Sequence, residues 1–312
     1  MSRVPRKMLA RGVTVAVAAL VAGSAVPAAA QFGSLGNLGG MINKAKTLQK
    51  VGDGLRKIGE DEEIKLGGDL AGMIMGAAPL VKDEAKQRYV NRLGLWLALH
   101  SERPAVPWKF GIIDSNDFNA FSMPGGYVLI TRGLFDRMRN EAELAGVLAH
   151  EIAHVVRKHH IDALQKSMRD QALGDMQQYF NPVGGGIAGQ FTAALIAAGK
   201  NLYTQGLNHN DEYEADRMGV VIAARSGYSP FGLVGVLQTL SGEPVTKGYA
   251  LHTKTHPAPV DRLGRLDAAM GTRLDGIAGV ADLPSFVALR ATPAPVPAPA
   301  PAASGPRRKR RP

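Results

Sequence analysis

Glu143-Leu-Ala-Gly-Val-Leu-Ala-His-Glu-Ile-Ala-His154 is the stretch on which the reading of this chain turns. Asn140 stands three residues before Glu143, the spacing of an N-cap and its capping-box partner. Leu144, Leu148, Ile152 and Val155 recur at helical intervals and form one apolar stripe. The pattern predicts a helix running from Asn140 to about Met168. Inside it lies His150-Glu151-Ile152-Ala153-His154. Residues four apart sit one turn above each other, so the two imidazoles face one point. That is the H-E-x-x-H arrangement, in which the histidines hold a zinc ion and the glutamate between them acts as a base.

Zinc in a catalytic site needs a third protein ligand and one open position. Three candidates follow in the chain. His160 is ten residues beyond His150. Arg157, where a glycine would be needed to turn the chain back, is expected to continue the helix and leave His159 and His160 at a solvated end. Asp175 is the acidic residue about twenty positions on, without a second carboxylate at a useful spacing. Glu212-Tyr-Glu-Ala-Asp216 offers carboxylates at i and i+4 on a separate helix, predicted over Asp211 to Arg225. Glu212 could bind the metal, and Asp216 could hydrogen-bond a ligand histidine to fix its tautomer. Glu214 is expected to point off that face into solvent. An acidic helix start also has a plain dipole explanation for Asp211 and Glu212.

Around these helices the pattern changes. Residues 52 to 99 read as helical, with Leu66, Leu70 and Ile74, then Tyr89, Leu93 and Leu97, at helical spacing. Phe110 to Thr131 is β-rich and interrupted by Pro124-Gly125-Gly126, which predicts two or three short strands. Residues 181–190 read as a loop and 187–198 as a short core helix. Ser229-Pro230 is expected to open another helix. The fold class is therefore α+β: a mostly helical domain with a small sheet beside the H-E-x-x-H helix.

The ends differ from the centre. Residues 1–30 run from basic (Arg3, Arg6, Lys7, Arg11) through apolar to small residues ending in Ala30, the order of a secretory signal peptide cleaved after Ala30. Residues 31–59 read as a flexible arm and 60–290 as the metal-binding domain. Residues 291–312 are a Pro/Ala-rich, disordered tail with a basic tip, Arg307 to Arg311. The formal charge is +10, but the four cations before residue 31 and the five in the tip account for nine of those charges. A near-neutral body lacks the basic face of a nucleic-acid binder. The basic tip is suited to weak contact with anionic envelope surfaces. With no cysteine, disulfides and thiol chemistry are excluded.

Four blocks, in order, resemble the zinc metallopeptidases of the HtpX/BepA-like family, gluzincins related to the CAAX prenyl proteases. They are Asn119-Ala-Phe-Ser-Met-Pro-Gly-Gly-Tyr-Val128, Glu143 to His154, Glu212-Tyr-Glu-Ala-Asp-Arg-Met-Gly219 and Thr255-His-Pro-Ala-Pro-Val-Asp-Arg-Leu263. The resemblance covers residues 60 to 268 or so. It implies His150, His154 and Glu212 as ligands of one Zn2+ per chain, and Glu151 as the catalytic residue. It implies that Asn119, Ala120 and Phe121 lie on an edge strand that binds substrate backbone. His256 and Arg262 would face the metal from the other side, and Arg262, or His256, would stabilise the oxyanion of the tetrahedral intermediate. In BepA-like members the equivalent histidine can also cap the zinc at rest.

Two features depart from the family. Its membrane-embedded members carry several spans, and this sequence has none beyond the N-terminal segment. BepA-like members carry a C-terminal helical-repeat domain, where this sequence has the Pro/Ala-rich tail. The expectation is a periplasmic endopeptidase acting on unfolded or misassembled envelope proteins. The alternative is a latent or non-proteolytic, zinc-containing chaperone or assembly factor for outer-membrane proteins.

Overall fold

The computed structural model describes residues 58–178, 206–242 and 249–291. The signal peptide, most of the arm, the loop at 181–190, the apolar segment at 187–198 and the tail beyond Ala291 lie outside the described residues. Among the described residues no helix is long and apolar enough to cross a membrane.

The helical stretch expected over 52–99 is two helices, α1 (Glu60–Ala77) and α2 (Glu84–Leu99). Pro79 separates them: Ala78 before it is extended, with φ −140° and ψ 107°, because a proline disfavours the helical conformation in the preceding residue. Asp83 then caps α2, accepting from the backbone N–H of Ala85 and Lys86.

Three strands follow: β1 (Lys109–Ile113), β2 (Ala120–Met123) and β3 (Tyr127–Thr131). Their order is β1-β3-β2, with β1 parallel and β2 antiparallel to β3. The alternation of side chains divides the sheet cleanly. Ile113, Met123 and Leu129 pack with Leu70 and Ala71 of α1, while Phe110, Ile112, Val128 and Ile130 face the main core.

The two sheet edges differ in a way that matters for the site. On β1, the Gln87 side chain accepts from Ile112 N–H and donates to Ile112 O, and Asn91 Oδ1 accepts from Phe110 N–H. Side chains of α2 thus satisfy that edge. β2 forms the opposite edge of the sheet.

After α3 (Arg132–Arg137), Asn140 caps the central helix α4 (Glu141–Val156) by accepting from Glu143 N–H. Every residue of α4 from Glu141 to Val155 is buried. The helix stops twelve residues short of Met168. Lys158 takes φ 60°, and α5 (His159–Gln178) starts in a new direction.

A left-handed lysine is uncommon, and the compensation is long-range. Lys158 Nζ lies 2.6 Å from Glu63 Oε2, and Arg103 binds the same carboxylate at 2.8 Å while donating to Val155 O at the end of α4. Glu63 is 1% exposed. Burial by itself pushes its carboxyl up, but hydrogen bonds from Arg103 and Lys158 outweigh this and hold it below the ordinary value.

Replacing Glu63 with Ala is expected to cost about 3 kcal/mol, because it leaves two partly buried cations without their anion. The lowered native value also fixes the sign of a pH effect. The Glu63 contribution is fully present above the unfolded value near 4.5 and is lost as pH falls through the lower native one. Urea denaturation of wild type and E63A at pH 7 and pH 3 checks both: the gap between their midpoints narrows in acid.

The remaining helices are α6 (His209–Arg225), α7 (Gly232–Gly242), α8 (Ala250–Thr255), α9 (Pro259–Met270) and α10 (Pro284–Ala291). α6 is capped by Asn208 and ends before Gly227, whose φ is 87°. It lies along α4. α7 begins at Gly232, later than Ser229-Pro230 suggests, and Ser229 Oγ accepts from Phe231 N–H in the turn before it.

Candidate active site

α4 presents His150 and His154 with their Nε2 atoms 3.1 Å apart. From α6, Glu212 places Oε2 3.6 Å from His150 Nε2 and Oε1 3.5 Å from His154 Nε2. All three side chains are buried. A tetrahedral ion with bonds of about 2.0–2.1 Å spaces its ligand atoms about 3.3–3.4 Å apart, and the three separations here bracket that value. Glu212 Oε2 has no hydrogen-bond partner among the described residues although it is buried. An orphaned carboxylate oxygen facing two imidazole nitrogens fits a missing cation. This group can hold a metal ion.

The supports of the group are equally specific. His150 Nδ1 lies 3.0 Å from Asp216 Oδ1. Burial opposes a charged His150, but the hydrogen bond to Asp216 and the neighbouring Glu212 carboxylate outweigh it and push the ring up to about 9. Burial drives His154 the other way, well below the ordinary histidine value. The Asp216 carboxyl is pushed up by burial yet held low by the Arg262 guanidinium.

Close approach of the helices makes this geometry. A Cβ built on Gly219 would come within 2.9 Å of His150 Cα and N. Only glycine lets α6 lie against the ligand turn of α4, with Asp216 one turn and Glu212 two turns upstream on the same helix.

A cleft opens in front of the group, lined by Asn119, Ala120, Phe121, Ser122, Glu151, His154, His160, Glu212 and His256, among others. Asn119, Ala120 and Phe121 thus line the same cleft as Glu151 and Glu212. Asn119 Oδ1 is buried without a hydrogen-bond partner among the described residues. Glu151, 5% exposed, sits beside the His150–His154 pair. His256 reaches the cleft, with Nε2 3.8 Å from Glu212 Oε2 and its ring stacked on His252 at 4.3 Å.

Two expectations change, and Arg262 gains a contact that the sequence does not show. His159 and His160 are not a solvated helix end: both are buried, and His159 Nδ1 lies 2.9 Å from His154 Nδ1. The turn at Lys158 folds them back. Glu214 is not free in solvent, since it pairs with Arg157 at 2.7 Å and approaches His159 Nε2 at 3.4 Å. Arg262 is buried and grips Asp216 through Nε at 2.9 Å and through Nη2, with Nη2 also 3.5 Å from His150 Nδ1. It braces the histidine's partner, and it also lines a small pocket beside Ala120, His150, Glu151 and His256.

Residues 84–270 match Peptidase family M48. The chain belongs to peptidase family M48. Within it, the chain is 31% identical over 255 residues to the beta-barrel assembly-enhancing protease of Escherichia coli K12, covering 79% of this chain and 49% of that protein. It is 24% identical over 180 residues to the mitochondrial metalloendopeptidase OMA1 of Schizosaccharomyces pombe, covering 57% of this chain and 51% of that one. It is 28% identical over 156 residues to the metalloprotease YcaL of Escherichia coli K12, covering 49% and 59%. The chain spans about half the length of the beta-barrel assembly-enhancing proteases it matches. The family match spans α2 to α9, which includes the three-residue metal group, Glu151 and the β2 edge.

Proposed function

We propose that this M48 chain is a zinc-dependent endopeptidase, with His150, His154 and Glu212 holding one Zn2+ and Glu151 as general base. The observation that carries it is the spacing of those three ligand groups around an orphaned carboxylate oxygen, with Glu151 at the mouth of a cleft edged by β2. Bound there, zinc would supply a Lewis acid that polarises the scissile carbonyl and acidifies a water.

The chain's own residues do the rest. An extended substrate segment adds to the β2 edge at Asn119, Ala120 and Phe121, pairing backbone with backbone. Glu151 takes a proton from the attacking water and returns it to the leaving amine. His256, across the cleft, stabilises the oxyanion of the tetrahedral intermediate. Asp216 keeps the proton on His150 Nδ1 so that Nε2 offers its lone pair, and Arg262 holds Asp216 in place.

Strand addition is sequence-tolerant, since the backbone is common to all substrates, and it requires an extended segment. Unfolded or misassembled proteins meet that requirement. The relatives named for β-barrel assembly support cell-envelope proteins as the substrate class, and residues 1–30 support a periplasmic location through a cleaved signal peptide. The basic tip at 307–311 would add weak contact with anionic envelope surfaces.

The test is cleavage of a reduced, unfolded protein. Removing zinc with a chelator is expected to abolish cleavage, and one equivalent of Zn2+ per chain to restore it. Cleavage that survives thorough chelation contradicts the proposal. Suppressed aggregation with no cleavage by the zinc-loaded chain favours the chaperone reading.

A further inference from the structure

Ser122 is a polar side chain on a sheet face that is otherwise apolar. Alternation along β2 puts it on the face of Ala120, with Val128 and Ile130 of β3 and Phe110 and Ile112 of β1. It is 1% exposed. A buried hydroxyl costs stability unless it is hydrogen-bonded, and Ser122 donates from Oγ to Glu151 Oε2 at 2.7 Å. A hydroxyl bond to a carboxylate is of the stronger, charge-assisted kind.

We infer that Ser122 is a positioning residue that holds the Glu151 carboxylate for proton transfer. The inference rests on the peptidase reading above. The bond commits Oε2 to the sheet, so transfer of the water proton, and its return to the leaving amine, falls to Oε1. It also fixes the side-chain torsions of Glu151, which would otherwise cost entropy at each turnover. Ser122 adjoins Phe121 on the strand proposed to receive substrate. One four-residue strand therefore carries both the docking edge and the anchor of the base, so that peptide and base share a common frame.

The experiment uses the full zinc-loaded chain and an unfolded protein or quenched peptide substrate, with S122A, S122T and E151Q. Ser122→Ala is expected to lower kcat by about tenfold, the scale of a hydrogen bond to a charged group. KM should stay within about twofold, because the substrate edge is backbone. Zinc content and melting temperature should stay at wild-type values. Ser122→Thr keeps the hydroxyl and is expected to restore most of kcat. Full kcat in S122A overturns the inference, as does a loss confined to KM or one that follows loss of zinc.

The two claims fail separately. If wild type cleaves and E151Q does not, the peptidase reading stands, and the S122A and S122T rates alone decide the inference. If wild type and E151Q are equally inert, the peptidase reading fails. Denaturation midpoints of S122A, E151A and the double variant then decide the contact. Non-additive midpoints support the Ser122–Glu151 bond, and additive ones overturn it.

Discussion

Glu151→Gln is expected to cut cleavage of an unfolded substrate by about 10²–10⁴-fold, the range of a general acid–base contribution, while zinc stays bound at one per chain. Glutamine keeps the length and shape of the side chain and can still accept from Ser122. It has no basic oxygen to take a proton from water at neutral pH. Glu151 could also join His150 and His256 around an ion, but in the proposed site His150, His154 and Glu212 hold the zinc, so the loss should fall on kcat and leave zinc content alone. Zinc content by elemental analysis, alongside kcat and KM, is the measurement. Cleavage by the variant at the wild-type rate would remove Glu151 from the mechanism. Loss of zinc along with activity would turn it into a ligand.

Arg262→Ala is the second large effect, and it acts through structure. Arg262 and Asp216 are 2% and 1% exposed and form a two-point pair. Removing the guanidinium leaves the Asp216 carboxylate buried without its cation, and loss of one partner of a buried pair costs about 3–5 kcal/mol. Asp216 also orients His150, and loss of such outer support lowers metal affinity by about 10–100-fold. The variant should therefore melt earlier and release zinc to a weaker competing chelator. Arg262→Lys should recover part of the stability and less of the affinity, since an ammonium cannot reproduce the two-point grip. Wild-type melting and zinc retention in R262A would show that the pair is dispensable. A selective fall in kcat with both unchanged would instead return Arg262 to the oxyanion role that the family resemblance implies.

The site was legible where its chemistry is local. His150, Glu151 and His154 declare themselves because helical periodicity puts positions four apart on one face, and the apolar stripe of α4 sets which face is buried. Glu212 and Asp216 follow the same rule on α6, which Asn208 caps as its residue type allows. Composition and the turn at Pro124-Gly125-Gly126 point to β1 and β3, whereas β2 is suggested only by the family resemblance of the segment from Asn119.

What stayed hidden depends on partners far away in the chain. Nothing in Arg157-Lys158-His159 signals a break, because the left-handed turn at Lys158 is stabilised by Glu63, ninety-five residues earlier. Without that turn His159 and His160 read as a solvated end; with it they pack against His154. Arg262 is hidden in the same way: only the fold shows that Asp216, forty-six residues away, pairs with it. Ser122 is the subtler case: a serine in a short strand carries no periodic signal, and its meaning comes from Glu151 standing opposite.

His150, His154 and Glu212 are proposed to hold one zinc ion. X-ray absorption at the zinc edge of the metal-loaded chain, with His150→Ala and Glu212→Gln beside it, tests this most directly. The expected first shell has two nitrogen and two oxygen neighbours at about 2.0–2.2 Å, one zinc per chain, and loses a nitrogen or an oxygen in the matching variant. A shell of three or more nitrogens that survives Glu212→Gln would place the ion elsewhere among the histidines and contradict the account.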